Sequence, residues 1–297
     1  MNSIATGVLD KNNWMGNVLD IGRLRLTDIV WPGTHNSGMD RKAPDYDSVF
    51  GNWTTCQNDS FAWQLANGAR AFDLRLGYTA HWQQPQFYCH HNGYSSGRTL
   101  DELMTALTTF LDRNRDEFIV LDFHELGDAE KPFDFQRFND LIMARLGSHA
   151  ISPSDSLLTI DQLKRNSTQR RIIMAAPAKR ELDEDYFWFR IKHKWSGKRF
   201  TDTTDLQTHI RTSLEGAPYP LSLWSLSATS YSVLGGPQRI KNHINDWFDT
   251  TRDWVTRCSI ISTDFFEESD IVRLCWSATS MKAVYGEALH SRIQANP

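Results

Sequence analysis

Short apolar, β-prone runs alternate with helical patterns along this chain, and that alternation leaves few folds open to it. The expected strands lie at 28–31, 69–76, 86–89, 118–123, 172–175, 187–191, 221–224 and 259–264. Helical patterns fall between several of them. Thr99 heads one, with Glu102 three residues later as in a capping box. Leu100, Leu103, Leu107, Phe110 and Leu111 then recur at helical spacing over 100–112. Segments 135–146, 205–214 and 237–256 behave similarly. Strands alternating with helices imply a parallel sheet, and about eight of them favour closure into a (βα)8 TIM barrel over an open sheet. A length of 297 residues suits one such α/β barrel, and no Gly/Ser/Pro-rich linker divides it. Residues 1–297 are therefore expected to form a single domain.

Composition narrows the function classes. A net charge of -4 argues against an electrostatic nucleic-acid binder, which needs a basic surface to displace counterions. The four cysteines, Cys56, Cys89, Cys258 and Cys275, have no zinc-like spacing, so buried free thiols are expected. No run of 18 apolar residues predicts a membrane span, and the first residues lack the pattern of a secretory leader. These features lead to the expectation of a monomer, either cytoplasmic or exported without a classical leader. Of the eleven tryptophans, Trp53 and Trp82 sit in polar, loop-like surroundings where a ring could serve an interface.

A parallel barrel presents its chemistry at the C-terminal ends of its strands, and four segments place reactive side chains there. Trp31-Pro32-Gly33-Thr34-His35-Asn36 ends the first strand abruptly and leaves His35 at the mouth. In Phe72-Asp73-Leu74-Arg75, strand alternation sends Asp73 and Arg75 to one face, as a structural ion pair or as an arginine offered to an anion. Cys89-His90-His91-Asn92-Gly93 is a strand end followed by a turn, and only one of its two histidines can face the site. Ile260-Ile261-Ser262-Thr263-Asp264 delivers a carboxylate at its end, which could also cap a helix. Two imidazoles and an arginine on one rim suit phosphodiester cleavage by general acid–base catalysis.

The motifs WPGTHNSG, FDLR followed by HHNG, FIVLDFHE, WSLSATS and IISTDFFEESDI together resemble the phosphatidylinositol-specific phospholipase C X-domain family, and its bacterial metal-independent members most. The resemblance is weakest over about 130–215. It implies a distorted (βα)8 barrel that cleaves a phosphoinositide to diacylglycerol and an inositol cyclic phosphate, a lyase of lipid degradation working at a membrane surface. On that resemblance His35 is the general base and Asp264 the carboxylate that orients it. His91 becomes the general acid, Arg75 the phosphate clamp and Asp73 its neighbour.

The pattern also departs from the family. Eukaryotic relatives use calcium with carboxylates where this chain has Arg75, so no metal or other cofactor is expected here, with Asn36 and Asp73 the residues of the calcium alternative. Asn36 replaces an aspartate and is expected to orient His91 by hydrogen bonding. His124 stands in place of a lysine, His193 in place of a head-group aspartate and Trp195 in place of a ring-stacking tyrosine. Lys179 or Arg180 is the candidate for an arginine on the fifth strand. The altered pocket leaves a second function open, a catalytically impaired barrel that binds lipid or another phospho-ligand. A barrel phosphodiesterase acting on glycerophosphodiesters or sphingolipids fits less well, because its metal carboxylates near the first strand are missing. Segments 46–53 and 230–236 are the expected membrane-contacting loops.

Overall fold

The computed structural model describes residues 9–47, 51–80, 86–128, 131–215 and 222–294, with backbone alone for 286–294. Strands β1 (Trp31–Thr34) and β2 (Ala71–Thr79) are followed by the hairpin β3 (Gln86–His91) and β4 (Tyr94–Thr99), then by β5 (Ile119–Leu126), β6 (Ile172–Ala176) and β7 (Phe187–Phe189). Next come β8 (Lys192–Lys194) and β9 (Trp224–Ser227), the short pair β10 (Tyr231–Ser232) and β11 (Gly236–Pro237), and finally β12 (Ile260–Thr263). The α-helices are α1 (Gly51–Thr54), α2 (Phe61–Ala66), α3 (Leu100–Arg113), α4 (Phe135–Leu146) and α5 (Ile160–Asn166). They continue with α6 (Thr203–Leu214), α7 (Lys241–Trp247), α8 (Trp254–Arg257) and α9 (Ile271–Gln294).

The main sheet runs β7-β6-β5-β2-β1-β12-β9-β8 with every pairing parallel, so β12 returns to lie against β1. The chain thus forms a curled parallel α/β sheet in barrel order, and among the described residues the expected closure is not made. β7 and β8 end the path unpaired to each other, joined by Arg190 and Ile191 alone. The two edges carry charge that discourages further strand pairing: Arg190, Lys192 and Lys194 are exposed while His193 between the lysines turns inward.

Eight strands were expected and, among the described residues, eight parallel strands are present, by two offsetting differences. Segment 86–89 belongs to β3, which pairs antiparallel with β2 and forms a hairpin with β4. Its turn is Asn92-Gly93, with φ of 50° and 85°, the pair of left-handed positions that such a tight hairpin needs. The missing parallel strand is β8. The first and seventh strands also begin about three residues later than expected, and Leu221 of the expected 221–224 strand lies outside the described residues.

The capping box of α3 is formed: Thr99 Oγ1 accepts from the Glu102 N–H at 3.2 Å, and Glu102 Oε2 accepts from the Thr99 N–H at 2.8 Å. Segment 237–256 is not one helix. Between α7 and α8 the Asp249 side chain accepts from the Thr251 N–H, a local alternative to helical bonding. Buried apolar residues line a contiguous core between sheet and helices, with Phe72, Phe123 and Phe138 fully covered. Each such ring contributes about 1.5–3 kcal/mol relative to exposure. At the end of the sheet opposite the strand C-termini, buried Arg70 donates to Glu117 at 2.6 Å, and Glu117 accepts from the backbone N–H groups of Met15 and Gly16. That pair ties the chain's early residues across the bottom of the sheet. All four cysteines are free and buried, as expected.

Candidate active site

β1 hydrogen-bonds both β2 and β12, so His35 and Asp264, each directly after its strand, meet Asp73 and Arg75 from the first half of β2. His35 Nδ1 lies 2.7 Å from Asp264 Oδ1, and Arg75 Nη2 lies 2.9 Å from His35 Nε2. A guanidinium has hydrogens to give and nothing to accept with. Nε2 of His35 must therefore be the acceptor, and the ring hydrogen sits on Nδ1, facing the Asp264 carboxylate. Gln57 fixes the turn by donating from Nε2 to the carbonyls of His35 and Thr263, at 2.8 and 3.0 Å.

Asp73 accepts from Arg75 at 3.1 Å and from the backbone N–H of Asn36, also at 3.1 Å. Burial opposes its ionisation, yet Arg75, His124 and His35 outweigh burial and hold the carboxyl well below its ordinary range. In register, Asp73 lies opposite Asp122 on β5, and past an irregularity at Leu74/Arg75 the arginine faces Glu125. Two neighbouring carboxylates on one face need separate cations. Arg75 serves Asp73, while His193 crosses from β8 to place Nε2 2.5 Å from Asp122 Oδ2. The His124 ring stacks on that of His193 at 4.0 Å between centroids. Burial raises the Asp122 carboxyl against the pull of His193, and the bond to Asp122 overcomes burial to raise His193.

His91 reaches the site from the β3–β4 hairpin. Its Nδ1 is 3.2 Å from the Thr54 carbonyl, so Nδ1 carries the hydrogen and Nε2 is the free position. Burial, then the charges of Arg75 and His35, push its pKa down to about 4. Adjacent His90 is buried on the other side and accepts from the Gly93 N–H, the division expected of neighbours on a strand. A cleft of about 640 Å³ opens beside His91 rather than over His35 and Arg75, and Tyr46, Trp53, Tyr94, Tyr231 and Arg199 line it.

Several expected placements are corrected. Asn36 is fully buried with φ of 40°, and neither Oδ1 nor Nδ2 has a partner, so it does not orient His91. Lys179 lies over the Phe135 ring and exposed Arg180 pairs with Glu181; both line a separate cleft beside β6 and β7. Arg190, directly after β7, adds a weak charge effect at Asp122 and, behind Arg75, at His124. Trp195 stands 57% exposed on the rim. Asp122, Gln57 and Arg190 were not expected. A lone carboxylate within the apolar run of β5 was the available signal, since it demands a buried partner. Of the two residues of the calcium alternative, Asp73 is tied to Arg75, and the ion asks for six to eight oxygens.

No family model matches the chain. Curated relatives include PI-PLC X domain-containing protein 3 of Danio rerio, 28% identical over 134 residues, 38% of this chain and 41% of that protein. The protein of the same name from Mus musculus is 27% identical over 40% of this chain and 43% of its own length. The match to these two thus spans less than half of their length. These relatives carry the X-domain name that the motifs resemble. Variant-surface-glycoprotein phospholipase C of Trypanosoma cruzi is 27% identical over 227 residues, 66% of this chain and 57% of that one. Among solved structures, the phosphatidylinositol-specific phospholipase C of Listeria monocytogenes aligns with a TM-score of 0.66 at 14% identity, over 91% of this chain and 98% of that chain. The Staphylococcus aureus phosphatidylinositol-specific phospholipase C gives 0.65 at 17% identity, over 91% and 97%. At these identities the likeness to the bacterial phospholipases C is one of fold.

Proposed function

We propose that this chain is a phospholipase C-type phosphodiesterase that cleaves a phosphatidylinositol-class lipid to diacylglycerol and an inositol cyclic phosphate. The observation that carries this reading is the line Asp264–His35–Arg75. It leaves a neutral imidazole with its Nε2 lone pair directed to the position where Arg75 would hold a phosphate oxygen.

Binding of the phosphodiester draws Arg75 onto the non-bridging oxygens and frees Nε2 of His35. His35 then takes the proton of the inositol 2-hydroxyl as its oxygen attacks phosphorus, and Asp264 stabilises the resulting imidazolium. The bond to the glycerol oxygen breaks, and His91 Nε2 returns a proton to that oxygen. Burial and then the Arg75 charge hold His91 low, and bound phosphate offsets the Arg75 part, which favours protonation of the acid where it is used. Each proton transfer is worth roughly 10²–10⁴-fold. Arg75 occupies the calcium position of the eukaryotic pattern, so the reaction runs without that ion.

Exposed Phe189, Trp195, Val233 and Leu234 stand at or beyond the C-terminal ends of β7, β8 and β9, on the side where the site opens. The two expected membrane loops meet there: Tyr231 donates its hydroxyl to the Trp53 carbonyl, and a Cβ on Gly236 would strike the Asn52 carbonyl. Positions 48–50 lie outside the described residues. No helix of the described residues is long and apolar enough to cross a membrane. A head-group panel of vesicles, assayed with and without a calcium chelator, tests the reading. Turnover confined to inositol lipids and indifferent to the chelator supports it. Binding without product under every condition favours the ligand-binding alternative.

A further inference from the structure

Asp122 and His124 are delivered by alternate positions of β5, and His193 comes from β8 across the interior. One ligand atom from each lies within 4.8 Å of the other two. Asp122 is 3% exposed, and among the described residues its Oδ1 has no hydrogen-bond partner; Nδ1 of His124 has none either. Buried polar atoms are nearly always partnered, and two orphans in one cluster point to a missing shared partner. Oδ1 of Asp122 is an electron-pair donor, and Nδ1 of His124 is one when the ring hydrogen lies on Nε2, so a cation held by the cluster would partner both. We propose that Asp122, His124 and His193 bind a divalent transition ion of the zinc class.

The donor set favours that class. Two imidazoles and one carboxylate suit a borderline ion at four-coordinate geometry and leave a fourth position open. A hard ion such as calcium takes oxygen ligands and would reject both rings. Coordination replaces the Asp122–His193 hydrogen bond: Nε2 of His193 releases its proton to solvent, and its 2.5 Å approach to Asp122 Oδ2 relaxes toward the ligand spacing of about 3.3 Å around zinc. None of the three residues is the base, acid or phosphate clamp of the proposed reaction. The ion site stands or falls independently of that reading.

The test uses the full chain, stripped by chelator and titrated calorimetrically with zinc chloride, calcium chloride and inorganic phosphate separately. One zinc per chain, no calcium response and a melting temperature raised by zinc are expected. His193→Ala and His124→Ala should each weaken zinc binding at least tenfold, whereas His91→Ala should bind as the parent does. Circular dichroism establishes that each variant is folded, with His124→Gln as the conservative substitute if the alanine variant is not. Three results would overturn the proposal: no zinc uptake by the stripped chain, uptake unchanged in a folded His124→Ala, His193→Ala double variant and so traceable to other histidines, or binding of phosphate in place of zinc.

Discussion

Arg75 donates from Nη2 to Nε2 of His35 at 2.9 Å, and this contact decides which nitrogen of the imidazole is basic. The hydrogen is left on Nδ1, against Asp264 at 2.7 Å. A histidine so arranged is ready to accept a proton at the face where Arg75 would hold an anion.

Replacing Asp264 by Asn tests that arrangement. The amide can donate to Nδ1, which moves the ring hydrogen to Nε2 and against the Arg75 N–H. Turnover should fall by roughly 10²–10⁴-fold with the melting temperature nearly unchanged. Turnover within a few-fold of the parent would show that the tautomer is not controlled from this side.

The pH profile follows from His91. It must be protonated to act as an acid, yet burial, Arg75 and His35 hold its pKa near 4 in the free protein. The protonated fraction therefore falls as pH rises above about 4, and kcat/KM should peak on the acid side of pH 7. Bound phosphate neutralises Arg75, so kcat should decline at a higher pH than kcat/KM. Initial rates across pH 4–9 check both limbs, and a kcat/KM optimum above pH 8 would contradict the assignment.

At the opposite end of the sheet, Arg70 and Glu117 are both fully buried. Glu117→Gln leaves the guanidinium without its counter-ion and should destabilise the fold by about 3–5 kcal/mol. Turnover per folded molecule should be unchanged, because this end holds no site residue. Denaturant unfolding combined with active-site titration separates the two effects.

Leu234 is 88% exposed between β10 and β11. Leu234→Asp should weaken binding to phosphatidylinositol vesicles roughly tenfold, the value of burying one such side chain. Thermal stability and turnover of a soluble, short-chain substrate should not move. Equal loss on the soluble substrate would place the residue in catalysis rather than docking.

The parts of the site that lie at the ends of the central strands were legible because Pro32-Gly33 and the run before Asp264 mark those ends in the sequence. The capping box of α3 was legible for the same reason, its partners being three residues apart. What escaped depends on distance or on short elements. Asp122 and His193 are 71 residues apart and meet only because β8 curls back across the sheet. β8 itself is three residues long, too short to show a period. α9 carries Ser277, Ala278, Thr279 and Ser280 in its first half, which blurs its apolar stripe.

The most direct test is ³¹P NMR of the chain incubated with phosphatidylinositol vesicles, run beside a folded His35→Ala, His91→Ala double variant. The account predicts an inositol cyclic phosphate resonance from the parent and none above background from the variant. Cyclic phosphate released at an equal rate by the double variant, or an acyclic monoester as the first product of the parent, would contradict it.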